Sequence, residues 1–298
     1  SCVVKVNGCE GNAMQRPAMP KPRIAALALL PLFAVANAQA VGGGHYRLGQ
    51  THVDAKYAIA VVRDRGYDDA PQTLVYLGDF PLDASKVAAA FDPEDEVRAE
   101  LGDRRGGYVR ICIDDGGSEC GLFYERKQPD DSFNTSGYGT FASSRQDENH
   151  VAGSWVLKEP ESFFGQTYDF DLHFDVAVAP LPGKPLPADG GEPGAAYRAW
   201  LAASAKGDAV ALRKLVDSEH AYRFPEDDAS QLKEAIKDAR DGTPLQAEIA
   251  RGLVDGDRAL LWIEGTDRDD IRRRGRVLML REDGAWRFAE DDLENVDE

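Results

Sequence analysis

From Thr167 to Ala179 the chain reads TYDFDLHFDVAVA, with Tyr168, Phe170, Leu172, Phe174, Val176 and Val178 at every second position and Asp169, Asp171, His173 and Asp175 among the residues between them. Successive side chains of a strand point to opposite faces, whereas a helix repeats its apolar stripe every three or four residues. The segment is therefore read as a strand with one face on a core and the other in water. The charged face offers a reading as a cation site. Alternate strand residues lie about 6.6 Å apart, too far to share an ion unaided, so a solvated acidic face is the reading adopted.

The same bias runs through the preceding sequence: KYAIAVVR, QTLVYLGDF, GYVRICID, CGLFYER, SGYGTFAS and NHVAGSWVL are short β-type runs separated by Gly, Asp and Pro. One helical interruption is expected from Asp83 to Leu101, broken or restarted at Pro93. Residues 41–179 are read as an all-β antiparallel sandwich. Phe163 and Phe164, after Glu159-Pro160-Glu161, are assigned to its core. Residues 180–194, PLPGKPLPADGGEPG, are too rich in proline and glycine for an element interior and are read as a linker.

Upstream, Arg16, Lys21 and Arg23 precede a 12-residue apolar run, Ile24 to Val35, followed by Ala36-Asn37-Ala38 and Ala38-Gln39-Ala40. A positive end, a short apolar stretch and small-x-small sites make residues 14–40 a bacterial Sec-type signal peptide, cut after Ala38 or Ala40. The run is too short for a transmembrane helix, which needs about 20 apolar residues. Residues 1–13, with Cys2 and Cys9, fit no part of such a signal and are read as a non-native extension. The expected product is periplasmic or secreted, with no membrane anchor after cleavage. Losing residues 1–40 removes Lys5, Glu10, Arg16, Lys21 and Arg23 and takes the formal charge from −17 to −20. An acidic chain of this kind lacks the basic face a nucleic-acid partner requires.

The remaining cysteines, Cys112 and Cys120, flank Asp115-Gly116-Gly117. A three-residue hairpin loop there sets them opposite each other, and an oxidising compartment would join them. No second ligand pair gives them zinc-finger spacing, the five histidines form no H-E-x-x-H pattern, and neither a nucleophile elbow nor a P-loop is present. No metal or cofactor is expected. Arg272, Arg273, Arg274 and Arg276 are read as a charge-balanced hairpin loop beside Asp267, Asp269 and Asp270.

After the linker the pattern changes. AAYRAWLAASAKG, DAVALRKLVDS and ASQLKEAIKDARDG have helical spacing, the third following Pro225-Glu226-Asp227-Asp228 and ending at Gly242. LQAEIARGLV, DRALLWIEG, GRVLMLR and AWRF are β-type, with Asp255-Gly256 and Asp283-Gly284 as hairpin turns. Helices followed by an antiparallel sheet make residues 195–298 an α+β domain.

Tyr197 and Trp200 in the first helix, the break from Ala205 to Asp208, the apolar Ala209, Leu212 and Leu215, and the terminal REDGAWRF hairpin resemble the nuclear transport factor 2-like (SnoaL/ketosteroid-isomerase-like) superfamily. The resemblance implies a cone of three helices on a curved sheet, with a pocket near Tyr197, Trp200 and Trp262. Isomerase chemistry on such a cone needs a carboxylate base and a pair of acidic donors. Trp200 falls where the donor Tyr would stand, and its indole N–H is far less acidic. Glu226 falls near the base, but a place at a helix N-terminus, where an acid contributes about 0.3–1 kcal/mol, is the reading preferred because the donor is missing. Tyr222 and His220 are the alternative donors. With no complete reactive constellation, the expected function is a non-catalytic binding or interaction module for a small apolar ligand or a protein. The alternative is an isomerase or dehydratase using an acid of the C-terminal pocket.

Overall fold

The computed structural model describes residues 42–67 and 70–296. The expected leader, both cleavage positions, Cys2 and Cys9 lie outside the described residues. The N-terminal domain begins with β1 (Gly43–Leu48), β2 (Thr51–Asp54), β3 (Tyr57–Arg63) and β4 (Gln72–Gly78). Two helices follow, α1 (Ala84–Ala89) and α2 (Pro93–Leu101), separated before Pro93 as the sequence predicts. Asp83 and Asp92 cap them, their carboxylates accepting from the backbone N–H groups of Ser85 and Lys86 and of Glu94. The strands then run β5 (Gly106–Ile113), β6 (Glu119–Lys127), β7 (Asp131–Thr135), β8 (Thr140–Asp147), β9 (His150–Val156), β10 (Glu161–Phe163) and β11 (Gln166–Ala179).

These eleven strands form one continuous sheet that rolls into a nearly closed barrel, not the two stacked layers of the expected sandwich. Strand β11 is the reason. It pairs with β1 from Tyr168 to His173, with β9 from Asp171 to Ala177, and finally in parallel with β3 at Val178 and Ala179. One long strand thus joins what a sandwich would keep as separate sheets. Alternation reports only that one face is buried, and both architectures meet that condition. The expected alternation itself holds: Tyr168, Phe170, Leu172, Phe174, Val176 and Val178 are all buried in the barrel.

The wall also has a second apolar face. On β3 to β5, Ala60, Val75, Leu77, Val109 and Ile111 point into the barrel, while Ile59, Val61, Leu74, Tyr76 and Tyr108 alternate outward beneath α1 and α2. A buried polar knot fixes α2 there: the Tyr108 hydroxyl donates to Glu94 (2.5 Å) and Glu125 (3.1 Å), and Arg98 donates to Glu125 (2.8 Å).

Cys112 and Cys120 form the expected disulfide, with Cα atoms 5.0 Å apart. Their register differs from the prediction. Ile113 faces Glu119 as a three-residue loop requires, but Cys112 faces Gly121, which makes Cys120 the extra residue of a bulge. Phe164 is not a core residue: it sits at a turn with φ 49° and is 86% exposed.

In the segment expected as a linker, β12 (Lys184–Pro185) pairs with the C-terminal sheet and α3 (Gly191–Lys206) begins. Next come α4 (Ala209–Leu215), a 3₁₀ turn (Ala221–Arg223) and α5 (Ala229–Asp241). Strands β13 (Gln246–Asp255), β14 (Arg258–Thr266), β15 (Arg272–Glu282) and β16 (Ala285–Asn295) complete a five-stranded antiparallel meander in the order β12-β13-β14-β15-β16. Asp283 and Gly284, both at positive φ, form the tight turn between the last two.

This sheet is flat and open, so the cone, and with it the resemblance to the nuclear transport factor 2-like superfamily, is not upheld. The physical reason is that both its faces are covered. Ala259, Leu261, Ile263, Val277 and Met279 pack under the helices, whereas Leu278 and Ala289 pack with Phe91 on the other side, against the β domain. A cradle curls around one face, and this sheet is used on two.

The β3–β4 loop holds that second face. Trp262 Nε1 donates to Asp64 Oδ1 (3.1 Å), and Arg251, paired with Asp64, lies 3.6 Å from the Trp262 ring centre. Arg65 Nε and Nη2 donate to the two oxygens of Asp292 at 3.0 and 3.1 Å. Arg276, 3% exposed, donates to the Phe91 carbonyl (3.0 Å) and covers the Phe91 ring. The arginine run is therefore no hairpin loop. It lies in β15, where Arg274 and Arg276 donate to the Tyr67 and Phe91 carbonyls of the β domain while Arg272 and Arg273 pair with Glu264 and Asp267.

Candidate functional site

The C-terminal helices cover the sheet unequally. In α3, Tyr197, Trp200 and Leu201 are buried, and the helix ends at Gly207 in the left-handed conformation. In α5, capped by Asp228, no residue is fully buried. Its inward side offers Leu232, Ala235, Ile236 and Ala239, only partly covered. A cavity of about 500 Å³ remains below it.

The walls of this cavity are aromatic and aliphatic: Trp200, Phe224, Phe288, Val216, Ala235 and Ala239. Trp200 stacks on Phe288 at 4.3 Å and meets Phe224 edge-on at 5.8 Å. Trp200 is 3% exposed, and its indole N–H has no hydrogen-bond partner within the protein. Charged and polar groups enter at the margin from α5 and the 3₁₀ turn, as Gln231, Glu234, Asp238 and Arg223. Asp291 enters from β16.

Asp291 reaches this place through a bulge. Strand β16 pairs Phe288 with Met279 and Glu290 with Leu278, leaving Ala289 as the extra residue. Unbroken alternation from Phe288 would send Asp291 toward the β domain. The inserted residue turns it back beside Phe288 under the helices and sends Glu290 to the other side. Burial raises the Asp291 carboxyl from 3.8 to about 6; Arg223 opposes the rise, and Glu290 and Asp292 add to it. Burial also holds the Tyr197 hydroxyl, which lies behind the stack with no partner within the protein, far above the ordinary phenol range.

The residues singled out from sequence divide sharply. Trp200 lines the cavity, and Tyr197 packs behind it, its ring 6.5 Å from that of Phe288. Trp262 lies on the opposite face of the sheet, held by Asp64. Glu226 points to solvent with Arg213 at 3.4 Å, and Asp228, not Glu226, caps α5. Tyr222 is 72% exposed, and His220 is bonded through Nδ1 to the buried Asp217 at 2.7 Å. None of Glu226, Tyr222 and His220 lines the cavity. The site acid missed from sequence is Asp291, since the β reading ended at Phe288 and the following Glu290-Asp291-Asp292 looks like a polar tail.

Among the described residues, no group of three or more His, Cys, Asp or Glu gathers to hold a metal ion, and no helix is long and apolar enough to cross a membrane. Comparison with protein-family models, with curated proteins and with solved structures finds no match for this chain.

Proposed function

We propose that this chain is an exported bacterial binding protein, without catalysis of its own, whose C-terminal domain takes a small and largely apolar molecule beneath α5. The observation that carries the reading is the cavity between α5 and the Trp200–Phe288 stack, closed by small side chains where larger ones would fill it. Ligand sites of small molecules are concave and mostly apolar, with few polar groups. Calorimetric titration with monocyclic aromatic compounds, cationic, neutral and anionic, tests it. Saturable binding of at least one, lost in Ala239→Trp, is expected; binding of none rejects the reading.

Export to the periplasm or exterior is supported by the Met14–Ala40 pattern and by the Cys112–Cys120 bridge, a bond that persists where thiols are oxidised. N-terminal sequencing of protein from a periplasmic extract should begin at Gln39 or Val41. Uncut chain with free thiols in the cytoplasm would refute export.

A second reading, proton transfer on the bound molecule, is favoured by one observation: the Asp291 carboxyl is held at about 6, near the range a general base needs. Turnover of a bound compound that disappears in Asp291→Asn would select it over simple binding.

A further inference from the structure

Resting on the cavity reading, we infer that the ligand is a small organic ammonium ion, its cationic head held by Asp291 and its apolar body against Trp200, Phe224 and Phe288. Three carboxylates border the space, Asp291 from the sheet and Glu234 and Asp238 from α5, against the single guanidinium of Arg223. Arg223 is exposed and makes no ion pair with Asp291, which leaves the carboxylate able to take a ligand cation. An anion would meet the opposite balance at every carboxylate, and a wholly neutral ligand would leave the buried Asp291 with only the exposed Arg223 as counter-charge.

The aromatic walls favour the same class. A cation near the face of an aromatic ring is drawn to its quadrupole, and the attraction grows when water is excluded. The formal charge of −17 over the whole chain raises the local concentration of cations around the mouth. The partnerless indole N–H of Trp200 adds one donor for an acceptor atom of the ligand, such as a hydroxyl oxygen beside the amine.

The test compares three probes that share a phenylethyl group by calorimetry on the mature chain: 2-phenylethylamine, 2-phenylethanol and 3-phenylpropionate. The amine is expected to bind at least about tenfold more tightly than the alcohol, since a hydrogen bond to an ionised partner is stronger than a neutral one. Asp291→Asn should remove that advantage while leaving alcohol binding within about threefold. The double variant Glu234→Gln with Asp238→Asn should weaken the amine about two- to threefold and reduce its salt sensitivity, as expected for exposed charges. Equal binding of amine and alcohol, or preference for the carboxylate, overturns the ammonium inference and leaves the cavity reading standing. Failure of all three probes to bind overturns both.

Discussion

The two halves of this molecule use aromatic side chains in opposite ways. In the barrel, Tyr46, Tyr124, Trp155, Tyr168 and Phe170 pack against one another across the interior, with ring centres such as Tyr46–Tyr124 at 4.5 Å. In the C-terminal domain, Trp200, Phe224 and Phe288 gather just as closely but border an unfilled space. The difference lies in what closes each core. Strands pair along their whole length and bring their side chains with them, whereas α5 is joined to the rest by its partly covered face alone. A core sealed by one amphipathic helix can keep a hollow, while the barrel's rings close on one another.

Substitutions test that contrast, the largest effect first. Trp155→Ala, in the filled barrel, should cost about 3–5 kcal/mol in chemical denaturation. Trp200→Ala, beside existing space, should cost visibly less, and equal losses would mean the two cores are packed alike. Added volume should separate them by sign. Ala60→Leu in the barrel is expected to destabilise by about 1–3 kcal/mol, while Ala235→Leu should stabilise by about 0.5–2 kcal/mol through cavity filling. If both destabilise, the space below α5 is not available to a side chain.

The smallest effect concerns Asp291. Its carboxyl titrates near 6 in the folded chain against 3.8 ordinarily, so between those values the folded state holds a proton that the unfolded state has released. The resulting stability is present at low pH and is lost as pH rises through about 6. Asp291→Asn should therefore be more stable than the parent by about 1–2 kcal/mol at pH 8, a figure reduced for the residue's partial exposure. The gap should shrink toward pH 4, as measured by denaturation at both pH values. A variant less stable at pH 8 would contradict a carboxylate strained by burial. Greater stability combined with lost amine binding is the signature of a residue kept for function.

Much of the fold was legible from local pattern. The alternation from Tyr168 to Val178 gave its strand and its buried face, Pro93 divided the two helices, and the Asp115-Gly116-Gly117 turn brought Cys112 and Cys120 within bonding distance. What failed was global. Whether a sheet rolls or stacks depends on which edges β11 meets, and whether the last sheet curls depends on what covers its far side. Neither is written in a residue's neighbours. The site was half legible: Trp200 stood out as an aromatic in an amphipathic helix, but the acid facing it depends on a pairing irregularity with no local signature. Glu226 showed the converse: the resemblance counted it near a base, whereas its acidic neighbourhood, read as the approach to a helix, matches its exposed place before the Asp228 cap.

That irregularity makes the terminal strand sensitive to length in a way its composition does not disclose. Inserting one residue between Glu290 and Asp291 would shift the alternation beyond it by one and exchange the roles of consecutive acids, turning Asp291 away from the aromatic hollow and moving Asp292 off the arginines that tether the barrel. One codon gained near the end of the reading frame would unsettle the pocket and the domain junction together, although no side chain that touches either had been replaced.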